Sequence, residues 1–197
     1  MIDNRMYYRK HAQEFFDRTA HENVEDLYAP FLPLLPAGAQ VLDAGCGSGR
    51  DTKAFAERGY VVTAFDATPE MAALAEQFSG QKIRVLRFQE MDYVEAFDGI
   101  WACASLLHVP LAELPAVFER FIVALKPGGY WSMSFKYGEG EKRRGERQFT
   151  DFTEDSLRAF LNSFHQLNVV ELFTSGDTRH LRTNQERWVS AVVQKVA

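Results

Sequence analysis

The sequence contains little that could brace a fold covalently or through a metal. Its two cysteines, Cys46 and Cys103, stand far apart, which excludes a disulfide framework and a zinc-binding spacing. No apolar run approaches the ~20 residues that a bilayer-spanning helix needs. The opening MIDNRMYYRKHAQEFF is polar and charged, unlike a secretory leader. Positive charge is also scarce: 22 Lys and Arg against 27 Asp and Glu leave a net charge of −5. Broad attachment to nucleic acid depends on basic surface and is not expected. No internal repeat or low-complexity tract is visible. These absences predict a protein of the reducing cytoplasm, with no membrane span and no metal.

What the chain does have is apolar and aromatic. Sixteen Phe, seven Tyr and three Trp in 197 residues furnish a core, and a chain of this length buries about 70% of its unfolded surface. One domain is expected. Residues 3–35 carry helically spaced apolar positions at Tyr8, Ala12, Phe15, Phe16, Leu27 and Phe31, until Pro30, Pro33 and Pro36 interrupt them. This predicts a helical cap over residues 1–36. From Gln40 short apolar strands alternate with helices. Strands are predicted at 40–44, 60–65, 83–88, 97–102 and 130–135. Helices are predicted at 50–58, from Thr68 onward, at 111–125 and at 153–162. Lys126-Pro127-Gly128-Gly129 reads as the stop between the third of these helices and the fifth strand. Two last strands, 167–173 and 187–194, have no helix between them, so one must run antiparallel to a neighbour. The alternation predicts an α/β fold: a doubly wound, mostly parallel sheet with helices on both faces. Residues 40–135 then form a ligand-binding core, and 136–197 the substrate side with the final strands. Ligands of such sheets sit at the carboxyl ends of the strands, near the switch in strand order.

The strongest chemical signal is Val41-Leu42-Asp43-Ala44-Gly45-Cys46-Gly47-Ser48-Gly49. A buried strand runs into a loop with glycine at every second position, which lets the main chain approach a ligand closely. A dinucleotide fingerprint would need glycine or alanine where Arg50 stands. Asp43, just before the loop, would repel a pyrophosphate but suits a cation. S-adenosylmethionine carries a sulfonium and an ammonium and has no phosphate. Asp66, ending the second strand with Ala67 beside it, is placed to accept hydrogen bonds from ribose hydroxyls. After the third strand, Gln89-Glu90-Met91-Asp92-Tyr93 offers an acid for an adenine amine, with Met91 or Tyr93 against the ring. The stretch 102–106, with Ala104, should run beneath the methionine portion. His108 lies just beyond and is the candidate general base.

Residues 40–135 resemble the core of the class I, seven-stranded S-adenosylmethionine-dependent methyltransferases. The VLDAGCGSG loop, VVTAFDAT, FDGIWACASLLHV and ALKPGGYWSMSF carry the resemblance, in order and at the right spacing; the tail QERWVSAVV is similar to the family's last strand. The resemblance implies S-adenosylmethionine as cofactor, with contacts at Asp43, Gly45, Gly47, Asp66 and the backbone near Met91 and Asp92. It also implies that the first helix, through Tyr7 and Tyr8, helps close the pocket. The overall pattern looks most like small bacterial members that act on small molecules, related to tellurite-resistance methyltransferases. The Asn/Asp-Pro-Pro-aromatic tetrad of base-amine methylation is replaced by Ala104-Ser105-Leu106-Leu107. Neither an acidic hairpin of protein arginine methylation nor a carboxylate cluster for a metal-dependent catechol site is present.

Two polar stretches stay open. Residues 136–149, KYGEGEKRRGERQF, read either as a lid over an anionic substrate or as a solvated loop. Asp177, Arg179, His180 and Arg182 form a second polar group, in which the two arginines could clamp a carboxylate. Two functional alternatives also remain: a nicotinamide-dependent oxidoreductase, and a non-catalytic cofactor-binding module.

Overall fold

The computed structural model describes residues 3–176 and 187–196. The N-terminal stretch is not one helix. It breaks into α1 (Asn4–Lys10), α2 (Ala12–Thr19), α3 (Glu25–Tyr28) and a 3-10 turn at Leu32–Leu34. His11 makes the first break, with φ −115° and ψ 23°.

The core begins with β1 (Gln40–Ala44), α4 (Arg50–Glu57), β2 (Val61–Asp66), α5 (Pro69–Ser79), β3 (Ile83–Val85) and β4 (Phe97–Ala102). It continues with α6 (Leu114–Ala124) and β5 (Leu125–Lys136). A hairpin of β6 (Gly140–Arg144) and β7 (Arg147–Asp151) follows, then α7 (Glu154–Leu161), β8 (Leu167–Gly176) and β9 (Arg187–Lys195). The main sheet has seven strands in the order β3-β2-β1-β4-β5-β9-β8. β9 runs antiparallel to both β5 and β8, while the other pairings are parallel. The expected doubly wound sheet is therefore present, and β9 is the reversed strand.

Burial explains the strand choices. Val41, Leu42, Asp43 and Ala44 are all buried because β1 is covered on both faces. On one face Phe31, Phe55 and Trp101 pack with Tyr28. On the other, Phe118 and Phe121 pack on Trp131 with ring centroids 4.5 and 4.7 Å away.

The sequence reading needs three corrections. β3 stops at Val85, because residues 88–90 turn into a 3-10 helix whose Glu90 carboxylate accepts the Arg87 N–H at 3.1 Å. Lys126–Gly129 does not separate helix from strand but lies within β5. The ladder shifts register there, with Leu125 opposite Phe97 and Tyr130 opposite Gly99; a bulge can hold a proline that has no N–H to give. Residues 140–151 are neither a bare loop nor irregular. They form an antiparallel hairpin turning at Gly145-Glu146, with Gly145 at φ +61°. The polar group at 177–182 lies outside the described residues.

Strand order reverses between β1 and β4, each followed by a sharp turn at its carboxyl end. A cavity of about 190 Å³ opens at this switch point.

Candidate active site

The three loop glycines serve different ends. All have positive φ: +75° at Gly45, +55° at Gly47 and +78° at Gly49. A Cβ on Gly45 would stand 2.7 Å from Ser105 Cβ, and one on Gly49 would stand 2.9 Å from the Ala75 carbonyl oxygen. Those two glycines let the loop pack against its own fold. A Cβ on Gly47 would meet only the edge of Phe15, at 3.4 Å. Gly47 is thus the bare patch of main chain facing the cavity, beneath α2.

Two carboxylates frame this cradle. Asp43 is buried, lines the cavity and accepts the Thr52 hydroxyl at 2.6 Å. Burial and the nearby charge of Asp51 hold its pKa well above the usual carboxylate range. Asp66 accepts the Gly47 N–H at 3.1 Å and the Thr68 N–H at 2.8 Å, so it also shapes the loop. Burial raises its pKa to about 6.

A third acid, which the sequence reading missed, is the hub of a buried cluster. Asp51 accepts hydrogen bonds from Tyr28 Oη (2.7 Å), Trp101 Nε1 (2.8 Å) and Arg50 Nε (2.7 Å). Burial opposes its ionisation, but the Arg50 guanidinium outweighs this and keeps the carboxylate charged. The only trace in the sequence is an Arg-Asp pair on the first turn of the helix after the glycine loop.

The opposite wall comes from β4, α1 and the hairpin. Ala104 holds a left-handed conformation, φ +50°, unusual for a residue with a side chain. Its N–H is held by Ser134 Oγ at 2.8 Å. His108 lines the cavity with Tyr8 Oη 2.7 Å from its Nε2. At Nδ1 it meets Asn4 Nδ2 at 3.0 Å and the Gln148 carbonyl oxygen at 3.3 Å. A donor and an acceptor thus flank Nδ1, so either neutral tautomer has a partner, as does the imidazolium. Burial is the main reason its pKa falls to about 3, and the positive charges of Arg147 and Lys136 add to the fall. Arg147 Nη1 donates to Tyr8 Oη at 3.2 Å.

Of the residues singled out in the sequence, Tyr8, Asp43, Gly45, Gly47, Ala104 and His108 line this one cavity. Asp66 and Ala67 lie beside it, half-buried, behind the loop. The Met91 side chain is buried in the core, and its carbonyl accepts Arg120 Nη1 at 2.9 Å. Asp92 is exposed. Tyr93 packs on Phe97, and Tyr137 packs beneath the Arg187 guanidinium. Phe15, Arg147 and Phe149 also line the cavity; the last two belong to the 136–149 stretch read as a lid or a solvated loop, in which no spacing singles them out. Among the described residues, no group of three His, Cys, Asp or Glu is placed to hold a metal, and no helix is long and apolar enough to cross a membrane.

Residues 41–129 match the family described as Methyltransferase domain. A ubiquinone biosynthesis O-methyltransferase of Xanthomonas axonopodis pv. citri (strain 306) is 37% identical over 103 residues, which are 49% of this chain and 42% of that protein. The chain thus spans less than half the length of the curated relatives it matches. The structure of the Burkholderia thailandensis 1,6-didemethyltoxoflavin-N1-methyltransferase, with bound 1,6-didemethyltoxoflavin and S-adenosylhomocysteine, aligns with a TM-score of 0.76 at 25% identity, covering 98% of this chain and 85% of that one. A Methanosarcina mazei S-adenosylmethionine-dependent methyltransferase shares the fold, with a TM-score of 0.75 at 21% identity over 86% of this chain and 98% of its own. None of these likenesses bears on kinship with tellurite-resistance methyltransferases. The reversed β9 and the glycine loop between two acids give the chain the fold of the class I S-adenosylmethionine-dependent methyltransferases, and its core, residues 41–129, matches a methyltransferase domain.

Proposed function

We propose that the protein transfers a methyl group from S-adenosylmethionine to a small-molecule acceptor, in the reducing cytoplasm where Cys46 and Cys103 stay as thiols. The Gly47 cradle carries this reading: a stretch of side-chain-free backbone opening into a cavity that also reaches His108. The donor set fits the cofactor, being acidic at Asp43 and Asp66 where a phosphate ligand would need the reverse. In this reading Asp66 and Ala67 hold the ribose, and Asp43 with Gly45 and Gly47 holds the cationic amino-acid end. The backbone near Met91 and Asp92 meets the adenine, and Ala104 and Tyr8 close over the sulfonium side. Residues 1–36 act as the cap, 40–135 as the cofactor core, and 136–197 as the acceptor side.

The cofactor brings a methyl group already activated on a sulfonium. The chain's task is to align the acceptor and exclude water, and orientation of this kind is worth on the order of 7–11 kcal/mol. For a hydroxyl acceptor, the proton passes to the Tyr8 hydroxyl as that group gives its own to His108 Nε2. The Gln148 carbonyl then accepts from Nδ1 of the imidazolium.

Calorimetric titration with S-adenosylhomocysteine and with NAD tests the cofactor assignment. S-adenosylhomocysteine should bind and NAD should not. Asp66→Asn should weaken binding by about tenfold to a hundredfold, the loss of one charge-assisted bond of ~1.5–3 kcal/mol. Gly47→Val should abolish binding in a folded protein. Unchanged affinity in both variants would remove the cofactor from this cradle.

A further inference from the structure

The cavity is electrically divided. Its acids, Asp43, Asp51 and Glu22, lie with Arg18 and Arg50 toward the glycine loop and α2. Toward β5 and the hairpin, the charged lining among the described residues is Lys136 and Arg147. Lys136 is 8% exposed, with its ammonium 4.9 Å from the Trp188 ring and 5.6 Å from the Phe149 ring. The Arg147 guanidinium lies 4.5 Å from the Tyr7 ring and 5.1 Å from that of Phe149. Among the described residues no carboxylate stands within ion-pair distance of Arg147; its polar contact is the Tyr8 hydroxyl. Aromatic faces offset part of the cost of keeping such cations out of water, but they leave the planar guanidinium's remaining N–H donors unused, and these suit a carboxylate or phosphate.

We propose that the acceptor is a partly apolar, anionic small molecule whose carboxylate or phosphate seats against Arg147, in the positive field of Lys136, while its apolar body lies along Leu107, Phe173 and Trp188. This assignment rests on the methyltransferase reading and names the class of acceptor for the same cavity. It fits the distribution of carboxylates: the cationic cofactor takes the end that holds Asp43, Asp51 and Glu22, and the anion the end where the described residues bring only cations. It also gives His108 a reason to sit between two cations, because a seated anion offsets the field that depresses its basicity.

The test uses the whole protein saturated with S-adenosylhomocysteine and three probes of one shape: benzoate, phenyl phosphate and the neutral benzamide. Calorimetry or Trp fluorescence should show saturable millimolar binding of at least one anion, with benzamide at least about tenfold weaker, as expected for one charge-assisted pair. The stronger of the two anions identifies carboxylate or phosphate. Arg147→Gln should erase the preference and Arg147→Lys should restore part of it, with both variants still saturable by S-adenosylhomocysteine. Equal binding of benzamide, indifference to Arg147→Gln, or no anion binding would overturn the acceptor assignment alone. Failure of S-adenosylhomocysteine to bind would instead overturn the methyltransferase reading.

Discussion

At the scale of single residues, the proposed reaction depends on a contact that joins distant parts of the chain. Tyr8 and His108 meet at 2.7 Å across 100 residues of sequence. The phenol lies between the imidazole and Arg147, so it can relay a proton only while both hold it in place. His108→Gln should lower kcat for a hydroxyl acceptor by about 10²–10⁴, the usual worth of general-base catalysis. Its dissociation constant for S-adenosylhomocysteine should stay within about twofold, since no hydrogen bond links the ring to the glycine loop. Single-turnover release of S-adenosylhomocysteine measures the rate, and an unaltered rate would leave His108 a packing residue. The charged residues at the glycine loop were partly legible. Asp43 and Asp66 could be found because they end apolar strands, where a carboxylate has no structural reason to be. Asp51 could not. Its role depends on Tyr28 and Trp101, which the fold brings together from elements far apart in sequence.

At the scale of elements, the strand-loop-helix units of the parallel core could be read from apolar patterning. The hairpin could not. Lys142, Arg143 and Arg144 face Phe149, Gln148 and Arg147 across its ladder, a composition with no alternation to detect. What holds it are contacts outside the pattern. Arg144 pairs with the buried Asp151 carboxylate. The Thr150 hydroxyl donates to the Val109 carbonyl at 2.7 Å. Asn4 of α1 accepts the Gln148 N–H at 2.8 Å and returns a bond to its carbonyl at 2.8 Å. Asn4→Ala removes both bonds at a buried position and should destabilise the protein by about 1–3 kcal/mol. Hydrogen exchange at the Gln148 amide should accelerate in step. Protection equal to the parent would mean that the hairpin holds its place without α1. The broken N-terminal helix escaped notice for a related reason: helical spacing persists across His11, although the backbone there does not.

At the scale of the whole molecule, two half-buried groups give stability opposite slopes with pH. Asp66 titrates near 6 in the fold against 3.8 ordinarily. Between those values the native state holds the extra proton, so this group's contribution falls as pH rises. His108 titrates near 3 against 6.5. Between those values the unfolded state holds the extra proton, so its contribution rises with pH. Relative to the parent protein, Asp66→Asn should therefore tilt a plot of unfolding free energy from pH 4 to 6 upward with pH, and His108→Gln should tilt it downward. Each tilt is bounded by about 1.4 kcal/mol per pH unit. Denaturant titrations across that window check the signs; tilts of the same sign would disprove the burial of one group. The overall topology was legible because alternating strands and helices leave few arrangements, whereas the internal electrical division of the cavity was not, since it depends on which side chains face one space.

The double amide tie between Asn4 and Gln148 spans 144 positions, and this orders events during synthesis. A ribosome must deliver Gln148 before α1 can close this clasp, although Arg9 can already pair with Glu70 at 2.8 Å. Until then the wall of the cavity that Tyr8 lines lacks its tie to the hairpin. A truncated product ending short of the hairpin should retain the sheet's leading half yet lack this tie, so the cavity is completed late in synthesis.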